Sequence, residues 1–227
     1  MSWFSRYVRS SIGAKQIMAL TGLGLVLFAL VHMLGHLGMF KGQDAYNSYA
    51  AFLQGLGGLK WIARGGLLGI FLIHVFTGIS LAAANRAARP VPYAMYTART
   101  STPMSRYMAM TGLVIFAFVI YHLLHFTLGQ IQPAYFHLPD PQGRPDAYTM
   151  FVRGFQSVPI FASYAVAVFL LSMHLAHGAS SWLQSLGLRH PKYKLDKLGP
   201  ALTAILFIGY MAPPTAVLLN IIRLPGA

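Results

Sequence analysis

Five stretches of this chain are apolar over a length that can cross a lipid bilayer, and nothing else in it restricts the fold as much. Spanning the hydrocarbon takes about 20 residues of helix. The runs cover residues 17–40, 65–84, 108–128, 158–183 and 198–222. In lipid every backbone polar group needs an internal partner, so a span is either a helix or a strand of a closed barrel. None of the five alternates with the period of a strand. The expectation is an all-α integral membrane protein, one domain over residues 1–227, with transmembrane helices over about 14–40, 62–85, 105–129, 158–184 and 198–222. Composition agrees, since only 9% of residues are charged, against about 25% in a soluble domain. A water-facing surface could not be covered with so few charges.

The connecting segments set the expected orientation. Arg6, Arg9, Lys15, Arg86, Arg89, Arg99, Arg106, Arg189, Lys192, Lys194 and Lys197 fall on one side, with Asp196. Lys41, Lys60, Arg64, Arg144, Arg153 and Arg223 fall on the other, with Asp44, Asp140 and Asp146. The excess of basic residues puts the N-terminus in the cytoplasm and the C-terminus outside. It also accounts for most of the net charge of +13 without a nucleic-acid partner. Arg6 and Arg9 precede a run too long for the core of a cleaved signal peptide. The linkers read as short and poor in chemistry: 130–154 as an outer loop of turn-forming residues, and Arg89-Pro-Val-Pro92 as a stiff inner turn. Pro213-Pro214 is expected to kink the fifth helix, because each proline removes a donor and crowds the preceding turn.

An ionisable ring at the depth of a membrane-spanning helix is expensive and usually functional. Here the rings are His32 and His36, His74, His122 and His125, and His174 and His177. An internal repeat selects among them. Met18-Ala-Leu-Thr21-Gly22-Leu leads to His32, and Met108-Ala-Met-Thr111-Gly112-Leu leads to His122. His74 is followed by Gly78 and Ser80, and His174 by Gly178 and Ser180. The repeat marks His32, His74, His122 and His174, and leaves His36, His125 and His177 as packing neighbours. At 1.5 Å of rise per residue, His32 and His122 lie roughly 7–10 Å toward the outside, whereas His74 lies near the middle and His174 roughly 4–5 Å toward the cytoplasm. His32 can then face His122, and His74 can face His174, at levels on the order of 10–15 Å apart. Two imidazoles flanking one iron make a b-type haem site, so two non-covalent b haems are expected. Gly22 and Gly112 are read either as room for the edge of a macrocycle or as ordinary small-residue helix packing. A proton or hard-metal pathway would recruit carboxylates, and the five runs contain none. The absence of cysteine excludes disulfides, Cys-ligated clusters and covalently attached haem.

The chain resembles the five-helix, di-haem cytochrome b membrane anchor of succinate dehydrogenases and fumarate reductases. The resemblance rests on Ser11-Ile-Gly-Ala-Lys-Gln-Ile-Met-Ala-Leu-Thr-Gly22, Leu30-Val-His32-Met-Leu-Gly, Gln43-Asp-Ala-Tyr-Asn47-Ser-Tyr, and His174-Leu-Ala-His-Gly178 with the tail Leu183 to Tyr193 that contains His190. It implies that the first and third helices ligate one haem and the second and fourth the other, with the first four forming the haem bundle. It implies a flavoprotein subunit with FAD and an iron–sulfur subunit on the cytoplasmic face, docking near the tail 183–193. The chain would then be a subunit of a succinate:quinone oxidoreductase in a bacterial inner membrane, with no dicarboxylate site of its own. Electrons would pass by the inner haem and then the outer one to menaquinone or ubiquinone, or in reverse. His36 stands where this family commonly carries asparagine, so it is not expected to be a ligand. Some relatives place an acidic residue near the outer haem to take a quinol proton, but this chain has no glutamate. Trp61, Arg64 and His36 are candidates for a quinone or propionate contact, or are interface anchors. The competing readings are a di-haem subunit of a hydrogenase or formate dehydrogenase, and a non-redox channel or transporter.

Overall fold

The computed structural model describes residues 2–91, 101, 103–189 and 198–226. Pro92, Arg99, His190, Lys192, Tyr193, Lys194, Asp196 and Lys197, named above, lie outside the described residues. The chain opens with a short helix α1, Trp3–Arg9, capped where Ser5 N–H donates to Ser2 Oγ at 3.3 Å. Ser10 then breaks the helix and caps the next one, accepting from Gly13 N–H at 3.1 Å. Helix α2, Ser11–Leu37, ends in a tight turn at Gly42, whose φ of +89° suits a residue without a Cβ. Helix α3 spans Gln43–Gln54 and α4 Gly58–Ala87. Helix α5, Pro103–His122, runs on as a wider π turn over Leu123–Thr127. Helix α6 covers Ala147–Phe155, α7 Val158–Ser185 and α8 Leu198–Leu218.

Five of these segments are long and apolar enough to cross a membrane: Ser11–Lys41, Gly58–Ala87, Met104–Thr127, Val158–Ser185 and Gly199–Leu218. Among the described residues no strand forms beyond one isolated bridge between Pro139 and Pro145. The protein is thus a multi-pass, all-helical membrane protein. Two sequence expectations need correction. The segment 130–154 is not a plain loop throughout, because α6 covers Ala147–Phe155. The fifth span ends at Leu218 rather than near 222.

Four of the spans close a ring. α2 packs on α4 and α7, and α5 packs on α7 and, less closely, on α4. The order around the ring is therefore α2–α4–α5–α7, which sets α2 diagonally from α5 and α4 diagonally from α7. Helix α8 lies outside this ring against α7 and α2. Glycine permits its close approach. A Cβ on Gly199 would collide with the Ala176 carbonyl oxygen, and Gly209 is covered by Met33. Tyr210 donates its hydroxyl to the Ala29 carbonyl at 2.6 Å, tying α8 to α2. No residue of α4 is fully buried by the rest of the described chain.

The tightest packing lies at one end, where Met39, Tyr46, Tyr148, Phe151, Val152 and Phe155 gather with the ends of α7 and α8. Helices α3 and α6 form a cap there. Polar groups fasten it. Asn47 is fully buried; its Nδ2 donates to Asp140 Oδ2 at 3.2 Å and to Asp146 Oδ1 at 2.9 Å, and its Oδ1 accepts from Tyr148 N–H at 2.9 Å. Arg144 pairs with Asp140 at 2.6 Å and with Asp44 at 2.7 Å. Burial would push the Asp140 carboxyl up, but hydrogen bonds from Arg144, Asn47 and Gln142 outweigh it and hold it below the usual carboxylate range.

Candidate functional site

The ring's two diagonals are each bridged by a pair of histidines. His74 of α4 and His174 of α7 have ring centroids 6.5 Å apart. His32 of α2 and His122 of α5 have centroids 5.9 Å apart. The structure thus brings together both expected pairs, on helices that do not pack closely on each other. Their levels follow from α2 and α5. Thr21 lies beside His74 and Thr111 beside His174, and in each helix the outer histidine comes eleven residues later. Eleven residues of helix are roughly 16 Å, slightly more than depth in sequence implies.

The His74–His174 pair has matching seats. Thr21 Oγ1 is 3.1 Å from His74 Nδ1, and Thr111 Oγ1 is 3.0 Å from His174 Nδ1. The glycine that follows each threonine makes room for the same ring. A Cβ on Gly22 would come within 3.3 Å of His74 Cε1, and one on Gly112 within 3.5 Å of His174 Cε1. What these glycines clear space for here is the neighbouring imidazole itself. The shorter repeat behind the histidines divides: Gly78 is met by Met18 Cε at 3.1 Å, but Gly178 faces open space and Ser180 bonds back to the Ala176 carbonyl.

The outer pair sits in a denser polar cluster. His32 stacks on Phe28 at 5.2 Å and has Tyr210 of α8 at 6.3 Å. His36 lies one turn on and places its Nε2 3.2 Å from His32 Nε2, while its Nδ1 meets the Tyr46 hydroxyl at 3.0 Å. Burial, and after it the neighbouring Tyr49, push the Tyr46 phenol up, so it stays protonated. On the other side, Tyr164 Oη is 3.3 Å from His122 Nδ1 and 3.1 Å from His125 Nδ1, and His125 Nε2 donates to Gln132 Oε1 at 3.1 Å. His125 is buried with both ring nitrogens in use. His177 is only partly buried.

The donor set fits two metal-centred groups held axially by imidazoles. A metal–imidazole bond of about 2 Å, with the ring centre about 1 Å behind the nitrogen, puts the two ring centres roughly 6 Å apart. Both diagonals match that spacing, and on the His32–His122 diagonal His32 Nε2 also has His36 Nε2 3.2 Å away. Among the described residues no set of three or more His or Asp side chains converges on a bare ion. Comparison with protein-family models, curated proteins and solved structures finds no match.

Several site residues carry little or no signal in the sequence. Thr21 and Thr111 stand inside the repeat, but their contact depends on the rotation of the adjacent helix. The His32–His36 contact has a signal, since residues four apart share a helix face. Tyr164, Tyr46, Tyr210 and Gln132 have none, because each reaches the cluster from a separate element. Trp61 is 65% exposed, with the Arg64 guanidinium 5.3 Å and Lys60 Nζ 5.6 Å from its ring. That surface placement, away from the histidine pairs, suits an interface anchor.

Proposed function

We propose that this chain is the di-haem membrane anchor and electron-transfer subunit of a succinate:quinone oxidoreductase in a bacterial inner membrane, with its N-terminus in the cytoplasm. The supporting observation is the placement of two histidine pairs, from four different spans, on the two diagonals of one ring at two depths. His74 and His174 would hold the inner haem, and His32 and His122 the outer. When bound, the haems would supply one-electron transfer between an iron–sulfur partner and a membrane quinone.

The chain's own work is to hold and isolate. The four spans fix the separation of each pair, and their apolar faces exclude water from both. The cap of α3 and α6 closes the outer end over His32, His36, His122 and His125. The basic inner segments would face the flavoprotein and iron–sulfur subunits, and steer an acidic partner surface. Oxidation of the dicarboxylate belongs to the flavoprotein.

The test is optical. The purified chain should show a Soret band and two haems per chain; a colourless preparation would overturn the proposal. His74→Ala and His174→Ala should lose the same haem, and His32→Ala and His122→Ala the other. The complex should reduce quinone with succinate and bleach or colour both haems as it does so. Reduction by hydrogen or formate instead would assign the chain to a different respiratory enzyme.

A further inference from the structure

The inner and outer histidines differ in what holds their second nitrogen. A threonine hydroxyl has one proton to give. Thr21 gives its proton to its own helix, with Oγ1 2.7 Å from the Ile17 carbonyl and 3.2 Å from that of Met18. Thr111 does the same, at 3.1 Å from the carbonyls of both Tyr107 and Met108. With that proton already given, each oxygen can only accept from the histidine beside it. On that assignment the proton on His74, and that on His174, sits on Nδ1, and each Nε2 keeps its lone pair; His74 has a further hydrogen bond with the Met18 backbone.

We infer that Thr21 and Thr111 are positioning residues that lock His74 and His174 in the Nδ1–H tautomer, the form whose Nε2 can bind a metal. The pattern is the usual one for metal-binding histidines, whose other ring nitrogen donates to an oxygen that orients the ring and raises its basicity. Here that oxygen comes from the neighbouring span, so each seat also registers one helix against the next. The seat repeats in both halves of the chain as Thr-Gly: the hydroxyl accepts, and the absent side chain of the glycine admits the ring. The outer pair lacks this device. His122 reaches the same tautomer through a longer chain, in which Gln132 accepts from His125, His125 from Tyr164, and Tyr164 from His122. His32 Nε2 instead meets His36.

The haem part of the inference rests on the function proposed above; the tautomer part does not. The full chain, with any partners that co-purify, is compared with Thr21→Val and Thr111→Val, which keep the shape and lose the hydroxyl, and with Thr21→Ser and Thr111→Ser, which keep the hydroxyl. Side-chain 15N spectra of haem-depleted protein read the tautomers, since iron bound at Nε2 would by itself put the proton on Nδ1. His74 and His174 should be protonated on Nδ1 in the parent and serine variants, with a mixed population in the valine variants. The inner haem should be retained roughly tenfold to a hundredfold less tightly in either valine variant. Its midpoint potential should rise, because a less basic imidazole stabilises ferric iron less; the outer haem should not change. A parent protein with the proton on Nε2 overturns the inference, whether or not any valine variant folds. So do valine variants with unchanged tautomers, haem retention and potential. A parent protein that lacks a Soret band but shows Nδ1–H tautomers lost in the valine variants would overturn the proposed function and uphold the seats.

Discussion

At the scale of single residues, the outer cluster depends on which nitrogen and oxygen atoms are already taken. His125 has both ring nitrogens occupied, by Tyr164 and Gln132, whereas His122 has one. His125→Ala should therefore keep two haems per chain, measured from the reduced-minus-oxidised spectrum, whereas His122→Ala should keep one. Asn47 is likewise fully engaged, through both its amide nitrogen and its oxygen. Asn47→Ala would leave the Tyr148 N–H without its side-chain acceptor and remove one donor each from Asp140 and Asp146, and should cost about 1–3 kcal/mol, read as earlier thermal unfolding in detergent. The repeat marks His122 over His125 in the sequence; the structure adds the physical difference, because Tyr164 and Gln132 occupy both nitrogens of His125.

At the scale of elements, glycine decides how closely the spans approach, and it does so unequally. Gly199 lies against the backbone of α7, where the Ala176 carbonyl cannot yield. Gly199→Ala should destabilise the α7–α8 contact by about 1–3 kcal/mol, the usual range for overpacking. Gly66, on α4, has nothing within 4 Å of a built Cβ. Gly66→Ala should leave stability unchanged or slightly improved, as alanine favours helix. Unfolding in mixed detergents compares the two. Both glycines sit in apolar runs and read alike in sequence; their difference belongs to the neighbour each one meets.

At the scale of the whole molecule, the cap joins segments distant in the chain: α3, the stretch before α6, and α6 itself. In it, Arg144, Asn47 and Gln142 hold the Asp140 carboxyl below the usual range. A group whose folded value is depressed contributes stability that is complete above its unfolded value and is lost as pH falls through the folded one. The cap should therefore stay closed at neutral pH and open in acid, below the ordinary range for carboxylates. Limited proteolysis of residues 130–157 across pH would detect this. Arg144→Met should shift the opening toward neutral pH, because it removes the partner that depresses Asp140.

The number of spans and the depths of their rings follow from sequence, because hydrocarbon thickness demands about 20 apolar residues and each residue advances a helix by 1.5 Å. The repeat added which ring in each span to choose, since the two halves carry the same Thr-Gly and histidine spacing. Rotation and neighbourhood do not follow from either rule. Apolar residues surround every span, so no hydrophobic face indicates which side turns inward. Tertiary structure alone set the ring order, formed α6 where turn residues promised a loop and joined it with α3 into a cap, and put a threonine from one span under a histidine of the next.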